Sequence, residues 1–367
     1  MVQLDALRAF AVLAVLVAHF IPRDSKLFLL VQLVDPGGLG VRLFFVISGF
    51  LITGILLRSK DHCEKNRLGV LYALRQFYVR RVLRIWPVFY LVIGLATLFS
   101  VPPLLRQTFL WHATYLTNFY LFFTGWHGAI NHLWTLAVEE QFYLAWPWII
   151  LLVSRRRLAV TILIAIAIAP IFRLLCGLHT GNYRTSILPF SCLDTLGVGA
   201  FLALRKDEMG DDQSRKYPFG KGGLLLGFGV MAVFVLLSAL NYGRTIGYAI
   251  FDVGAALIGG WIVWNASTGI RGLIGRLLEI KPLLYLGTIS YGTYLYSDFI
   301  GYLMHMAGTY KILGWLLDSS LIYVLTISVA VLSWHFFESP INRLKRLFPY
   351  RKISLDSRVE AHVSATA

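Results

Sequence analysis

Two basic side chains interrupt the apolar segment 4–20, which reads LDALRAFAVLAVLVAHF. They are Arg8 and His19, spaced eleven residues apart. On a helix this spacing places both side chains within ~20° of one face and ~16 Å apart along the axis. An ionisable group inside an apolar segment is costly unless it faces a cavity or a partner, so both are candidates for chemistry. The alternative for Arg8 is that its side chain reaches the inner headgroups, and the alternative for His19 is that it lies at the outer membrane interface without a chemical role.

A second group of candidates lies in residues 131–147, which read NHLWTLAVEEQFYLAWP. Glu139 lies ~10 Å into the predicted helix and shares one face with Tyr143 at i, i+4 spacing. A carboxylate bonded to one imidazole nitrogen leaves the other nitrogen as a base for a hydroxyl proton. We therefore expect His19 and Glu139 to form an acid–base pair. The alternative is a structural ion pair within the bundle.

A pair of arginines follows in FYVRRVLRIWPVFYL, residues 77–91. Arg81 and Arg84 share a helix face at i, i+3 spacing, and two neighbouring guanidinium groups suit a phosphate or pyrophosphate. The alternative is simple anchoring at the cytoplasmic headgroups. Arg42 is a charge near the outer end of another predicted helix. The aromatic segment ending at Trp134 would suit a sugar ring, or it forms an interfacial aromatic belt.

Composition decides the class of protein that positions these residues. The 367 residues are 57% hydrophobic and only 14% charged, whereas soluble domains carry roughly a quarter charged residues. Mean hydropathy is +0.68. This indicates an all-α polytopic membrane protein, not a secreted soluble domain. We assign the net charge of +15 to cytoplasmic loops beside anionic lipid, and we expect no nucleic-acid partner. The three cysteines show no paired spacing, and we expect no metal ion.

Segments of about 20 apolar residues predict about ten transmembrane helices. Most of the Lys and Arg residues fall in alternate loops, which predicts that both termini are cytoplasmic. We expect one membrane domain over residues 1–342 and a polar cytoplasmic tail over residues 343–367, which we expect to be disordered after Tyr350. The predicted spans are 4–21, 38–57, 82–101, 133–153, 158–176, 189–204, 222–241, 247–267, 283–306 and 313–337.

A set of motifs resembles the bacterial acyltransferase family 3, integral-membrane O-acyltransferases that modify surface and secreted glycans. The resemblance covers about residues 3–345. The motifs, in family order, are LDALRAFAVLAVLVAHF, GGLGVRLFFVISGFLIT, FYVRRVLRIWPVFYL, HLWTLAVEEQFYLAWP, ISYGTYLY and SWHFFESPINR.

This resemblance implies an enzyme of the bacterial cytoplasmic membrane that transfers an acyl group, commonly acetyl, from acyl-CoA to a glycan hydroxyl. The donor would be acetyl-CoA, and the partners would be a glycan or glycolipid acceptor and membrane lipid. By the family motifs His19 would be the base and Glu139 would orient it. The coenzyme A phosphates would contact Arg81 and Arg84. Arg8 would either contact the donor as well or pair within the bundle. Our candidates for further substrate contacts are Arg42, Trp134 and Tyr143.

One motif departs from the family pattern. Many members carry a histidine where this chain has Ser297, within SYGTYLYS at residues 290–297. Tyr294, Ser297 and Asp298 are possible substitutes for it. The competing interpretation of the whole chain is a flippase or exporter of a lipid-linked glycan. The glycan, the acyl length and the oligomeric state stay open.

Overall fold

A computed structural model describes residues 1–21, 26–210, 217–240, 244–308 and 315–350. The described residues form α-helices joined by short turns and contain no β-strand, which confirms the all-α fold class. The last polar segment, residues 351–367, lies outside the described residues, and so does the prediction that it is disordered.

The chain folds into a bundle of long helices with shorter helices between them. The helices are α1 (Gln3–Phe20), α2 (Lys26–Val34), α3 (Pro36–Lys65), α4 (Val70–Leu98), α5 (Pro103–Ala113), α6 (Thr117–Thr124), α7 (Leu133–Leu152), α8 (Arg155–Thr180), α9 (Leu193–Met209), α10 (Gly220–Ala239), α11 (Arg244–Thr268), α12 (Gly272–Leu278), α13 (Lys281–Met306), α14 (Trp315–Ser333) and α15 (Ser339–Arg343).

Each predicted span coincides with a helix, but the helices differ in apolar character. Within the described ranges, 7 helical stretches are long and apolar enough to cross a membrane. The other three predicted spans correspond to α7, α9 and α13. The helix α9 has only 17 residues, and α7 and α13 carry acidic and hydroxyl side chains. The chain is thus a multi-pass membrane protein, while the count of ten spans and the sides of its termini stay predictions.

The helix α4 begins well before the span predicted at residue 82. Its first turns bury Ala73, Leu74 and Phe77, whose spacing gives one apolar face on an otherwise polar helix. A hydropathy window averages over both faces, so it misses this amphipathic extension. As a result Arg81 and Arg84 lie inside a continuous helix instead of at its start.

Glycines set the closest helix crossings. A Cβ atom at Gly49 of α3 would lie 1.9 Å from the carbonyl oxygen of Leu196 in α9. A Cβ atom at Gly287 of α13 would lie 1.9 Å from the carbonyl oxygen of Asp5 in α1. Small residues of this kind let helix backbones touch within a membrane. The second crossing fixes α13 along α1, which carries Arg8 and His19.

Four buried charges join α3, α8, α9 and α11. The Nε atom of Arg42 donates to Asp252 Oδ1 at 2.5 Å, and its Nη2 atom donates to Oδ2 at 3.0 Å. Arg173 donates from Nη2 to Asp194 at 2.6 Å and lies 3.3 Å from Asp252. Two guanidinium groups and two carboxylates balance in charge, which makes their burial tolerable.

The residues after α15 turn back onto α4. Arg80 donates from Nη1 to the carbonyl oxygens of Lys345, at 2.7 Å, and Phe348, at 3.0 Å. Its guanidinium also lies 4.6 Å from the centre of the Tyr350 ring. Residues 343–350, which we assigned to the tail, therefore pack on the membrane domain, and the boundary at residue 342 stays a prediction.

Candidate active site

The candidate residues divide between two cavities of the bundle. The first has a volume of about 320 Å³ and is lined by Arg8, Arg81 and Arg84; we call it the arginine cavity. The second has a volume of about 870 Å³ and is lined by His19 and Arg42; we call it the histidine cavity. The three candidate arginines Arg8, Arg81 and Arg84 and the imidazole of His19 thus line different cavities.

The arginine cavity draws its walls from α1, α3, α4, α7 and α13. Arg8 pairs with Asp5 one turn earlier on α1, with Nη1 2.7 Å from Oδ1. The Arg81 guanidinium lies 5.4 Å from the centre of the Tyr143 ring. With Arg84 also in the wall, this cavity presents three guanidinium groups, which is the donor set that phosphate oxygens prefer.

The helix α7 supplies the polar face of the same cavity. Thr135, Glu139 and Tyr143 all line it, which confirms that these residues share one helix face. Glu139 lies against the hydroxyl groups of Tyr143 and Ser48, which are themselves 2.5 Å apart. Its neighbour Glu140 also lines the cavity and accepts a hydrogen bond from a tryptophan indole at 3.2 Å.

In the histidine cavity one carboxylate joins two imidazole rings. The Nδ1–H of His19 donates to Asp298 Oδ1 at 2.6 Å, because the carboxylate can only accept. The Nδ1 atom of His132 lies 3.1 Å from Asp298 Oδ2. The Nε2 atom of His132 donates to the Leu295 carbonyl at 3.1 Å. With Nδ1 donating, the neutral His19 ring has its lone pair at Nε2, which is the arrangement of a general base.

The expected pair of His19 and Glu139 is wrong, because the carboxylate that contacts His19 belongs to Asp298. Glu139 lines the arginine cavity, and Tyr294 and Thr135 lie between the two sites. Helix rise alone places His19 and Glu139 at similar depth. It does not show that α13 lies along α1 and brings its own acid to the histidine.

Of the three residues suggested as substitutes in the departing motif, Asp298 is the one that contacts His19. The hydroxyl of Ser297 donates to the Tyr294 carbonyl within its own helix, at 2.8 Å, and makes no contact with His19 that the structure records. Asp298 is an acid within a predicted span, so the rule that flagged Arg8 and Glu139 would have flagged it too. His132 carried no comparable signal, because a single histidine beside aromatic residues is common at interfaces.

The predicted substrate contacts fall in different places. Trp134 and Arg42 line the histidine cavity, but Arg42 is only 5% exposed and its guanidinium is held by Asp252 and covered by Trp134, 5.3 Å away. Arg42 therefore acts as part of the wall and not as a free cation. Tyr143 lies in the other cavity, beside Arg81.

Residues 1–335 match the family model described as an acyltransferase domain. The chain is 29% identical over 376 residues to the putative peptidoglycan O-acetyltransferase YrhL of Bacillus subtilis, covering 92% of this chain and 54% of the relative. It is 28% identical over 335 residues to the peptidoglycan O-acetyltransferase OatA of Listeria monocytogenes, covering 80% of this chain and 48% of the relative. No solved structure matches the chain significantly.

The chain spans about half the length of these curated relatives, so the comparison concerns only that part of them. The matched region contains every residue of both cavities named above. This region thus holds three guanidinium groups in one cavity and an imidazole bonded to a carboxylate at the other. The chain belongs to the acyltransferase domain family.

Proposed function

We propose that this chain is a membrane O-acyltransferase that moves an acetyl group from acetyl-CoA to a hydroxyl of a bacterial envelope glycan. The observation that carries the proposal is the pairing of His19 with Asp298 in a cavity that adjoins a cavity holding three arginines. We place the protein in the cytoplasmic membrane, with the donor arriving from the cytoplasm and the acceptor from outside.

The donor would bind at the arginine cavity. Coenzyme A carries phosphate and pyrophosphate groups, and Arg8, Arg81 and Arg84 together give a binding surface with a net positive charge. The carboxylates of Glu139 and Glu140 partly offset this charge and so reduce the repulsion among the three guanidinium groups. Each charge-assisted hydrogen bond to phosphate contributes about 1.5–3 kcal/mol.

The acceptor would react at His19. Nε2 of His19 takes the proton of the sugar hydroxyl while the hydroxyl oxygen attacks the thioester carbonyl carbon. The carbon–sulfur bond then breaks, and the imidazolium returns its proton to the departing coenzyme A thiolate. Asp298 fixes the ring through Nδ1–H and stabilises the imidazolium that forms between the two steps.

The lining of the histidine cavity supports a sugar as acceptor. Trp126, Trp134 and Tyr183 offer aromatic faces, and Asn131 offers an amide edge. Such faces suit the apolar side of a pyranose ring, and amide groups suit its hydroxyls. The relatives named for peptidoglycan act on a glycan, which favours the same class here.

The test uses purified protein in nanodiscs with radiolabelled acetyl-CoA and fractionated envelope glycans. We expect label in a glycan fraction with the wild type and none with His19→Ala. Arg81→Ala should raise KM for acetyl-CoA by about 10- to 100-fold, because it removes a charged phosphate contact. The control is the Arg106→Ala variant, which changes an exposed arginine on α5.

A wild type that labels no glycan, or a His19→Ala variant that keeps the wild-type rate, contradicts the proposal. Movement of an unlabelled lipid-linked glycan across the bilayer would then support the exporter interpretation. An unchanged KM in Arg81→Ala would remove the arginine cavity from the donor site while leaving the base intact.

A further inference from the structure

The two cavities meet at two side chains. Val41 of α3 and Tyr294 of α13 line both the arginine cavity and the histidine cavity. Tyr294 is only 7% exposed and Val41 only 8%, so their side chains are packed between the compartments. The wall at this point is one side chain thick.

Hydrogen bonds hold the Tyr294 ring in place. Its hydroxyl donates to the His132 carbonyl at 3.1 Å and accepts from Thr135 Oγ1 at 2.8 Å. The ring also packs edge-on against Phe44 and the His132 imidazole, with centroid distances of 6.4 and 5.6 Å. The ring is therefore fixed by specific partners on α3 and around the start of α7.

The same contacts tie the wall to the proposed base. Tyr294, Leu295 and Asp298 follow one another within about one turn of α13. His132 bonds to Tyr294 through its carbonyl, to Leu295 through Nε2, and contacts Asp298 through Nδ1. Asp298 in turn binds His19. A displacement of Tyr294 is thus coupled to the residues that orient the imidazole.

Transfer requires the two reactants to meet across this wall. If the donor binds at the arginines and the acceptor at His19, the thioester carbon and the sugar oxygen start in different cavities. They react only when brought to near-contact distance. The acyl group must therefore pass between Val41 and Tyr294, since these residues separate the compartments.

We propose that Tyr294 is the positioning residue that separates the thioester from the acceptor compartment and lets the acyl group through only when an acceptor is in place. This rests on the proposed function. The side reaction that it suppresses is hydrolysis, in which a water molecule replaces the sugar hydroxyl. Water would lose its proton to His19 and attack the thioester carbon, and the carbon–sulfur bond would break to give acetate and coenzyme A.

The experiment measures two products in nanodiscs with acetyl-CoA, in the presence and absence of the glycan acceptor. Released coenzyme A thiol reports total turnover, and labelled glycan reports transfer. We expect Tyr294→Ala to raise the ratio of hydrolysis to transfer by about tenfold or more, because it opens the site to water. Tyr294→Phe keeps the ring and loses the hydrogen bonds, so its ratio should lie between those of Tyr294→Ala and the wild type.

Two further variants separate this role from a loss of structure. Val41→Ala widens the same passage from α3 and should raise the ratio in the same direction. Tyr285→Ala changes an exposed tyrosine on the same helix, away from both cavities, and should leave the ratio unchanged. In the double variant His19→Ala/Tyr294→Ala the extra hydrolysis should disappear, because His19 activates the water.

The outcomes distinguish this inference from the proposed function. If the wild type transfers acetyl groups and the hydrolysis-to-transfer ratio is the same in the wild type and in both Tyr294→Phe and Val41→Ala, Tyr294 does not control access. The acyltransferase assignment then stands. If the wild type neither transfers nor hydrolyses acetyl-CoA, the proposed function and this role of Tyr294 are both wrong.

Discussion

At the scale of residues, the carboxylate of Asp298 sets the tautomer and orientation of the candidate base His19. Asp298 binds the Nδ1–H of His19 at 2.6 Å and contacts the buried His132 with its other oxygen. The first contact fixes the tautomer and the ring orientation of His19. The second fixes Asp298 itself, through a ring that is bonded to the α13 backbone. The orientation of the base therefore depends on residues from three helical regions.

Replacing this carboxylate should slow the chemical step. We expect Asp298→Asn to lower kcat by ~10²-fold or more while leaving KM for acetyl-CoA unchanged, because the amide keeps the shape but no longer stabilises an imidazolium. Steady-state kinetics with a fixed glycan acceptor measure this. Ser297→Ala is the matched control, since that hydroxyl bonds within its own helix. An Asp298→Asn variant with wild-type kcat would show that His19 is oriented in another way.

Removing Arg42 should reduce stability more than acceptor binding. Arg42→Ala leaves Asp252 buried with only the weaker contact to Arg173, which costs about 3–5 kcal/mol. Thermal unfolding in detergent should show a clear loss, and the double variant Arg42→Met/Asp252→Leu should recover much of it. A normal unfolding temperature combined with a weakened glycan KM would instead support the acceptor contact that the sequence suggested.

At the scale of elements, a buried histidine connects the two short helices that follow α4. His112 of α5 is fully buried and bonded on both sides. Thr108 gives its hydroxyl proton to the Leu104 carbonyl, so it accepts from Nε2–H of His112 at 3.0 Å. Thr117 of α6 lies 2.9 Å from Nδ1 and donates to it. One hydrogen bond donated and one accepted match a neutral imidazole. Through these two bonds His112 joins α5 to α6.

The contribution of the buried His112 to the stability of the folded protein should decrease in acid. Burial, together with the nearby His132 and His127, lowers the pKa of His112 to about 4. Because the folded state binds this proton more weakly than the unfolded state, the stabilising contribution is complete above pH ~6.5 and is lost as the pH falls toward 4.

Unfolding temperatures measured between pH 7.5 and 4.5 should therefore fall more steeply for the wild type than for His112→Gln. The glutamine amide can donate and accept but does not titrate. Equal pH dependence in the two proteins would show that His112 is not the group responsible.

At the scale of the whole molecule, helices with polar side chains pack among helices that are apolar enough to cross a membrane. The 7 apolar stretches among the described residues do not include α7, α9 or α13. Two of these, α7 and α13, contribute Glu139 and Tyr294 to the cavity walls, and α13 also brings Asp298 to His19. Helices enclosed by others need not be apolar on every face, because their polar side chains meet protein instead of lipid.

Labelling of single cysteines tests the orientation of the chain in the membrane. In a chain without its three native cysteines, Lys65→Cys should resist an impermeant maleimide in intact cells, because we place the end of α3 in the cytoplasm. Gln107→Cys on α5 should react. The reverse pattern would put the arginine cavity on the side away from cytoplasmic acyl-CoA and contradict the proposed direction of transfer.

The sequence by itself determined the class of the protein, the positions of its long helices and several of the polar residues that line the two cavities. Composition and helical periodicity are local properties, so they carry this information directly. The shared face of Arg81 and Arg84 follows from their spacing on one helix, whereas the position of Arg8 in the same cavity depends on how the helices pack.

Only the tertiary structure decided which partners meet. The pairing of His19 with Asp298, the burial of Arg42 by Asp252 and the wall at Tyr294 each join helices far apart in the chain. Such contacts depend on the relative rotation and depth of neighbouring helices, which packing at positions such as Gly287 fixes. Hydropathy and spacing describe each helix separately, and so they could not show that the acid beside the base comes from α13 and not from α7.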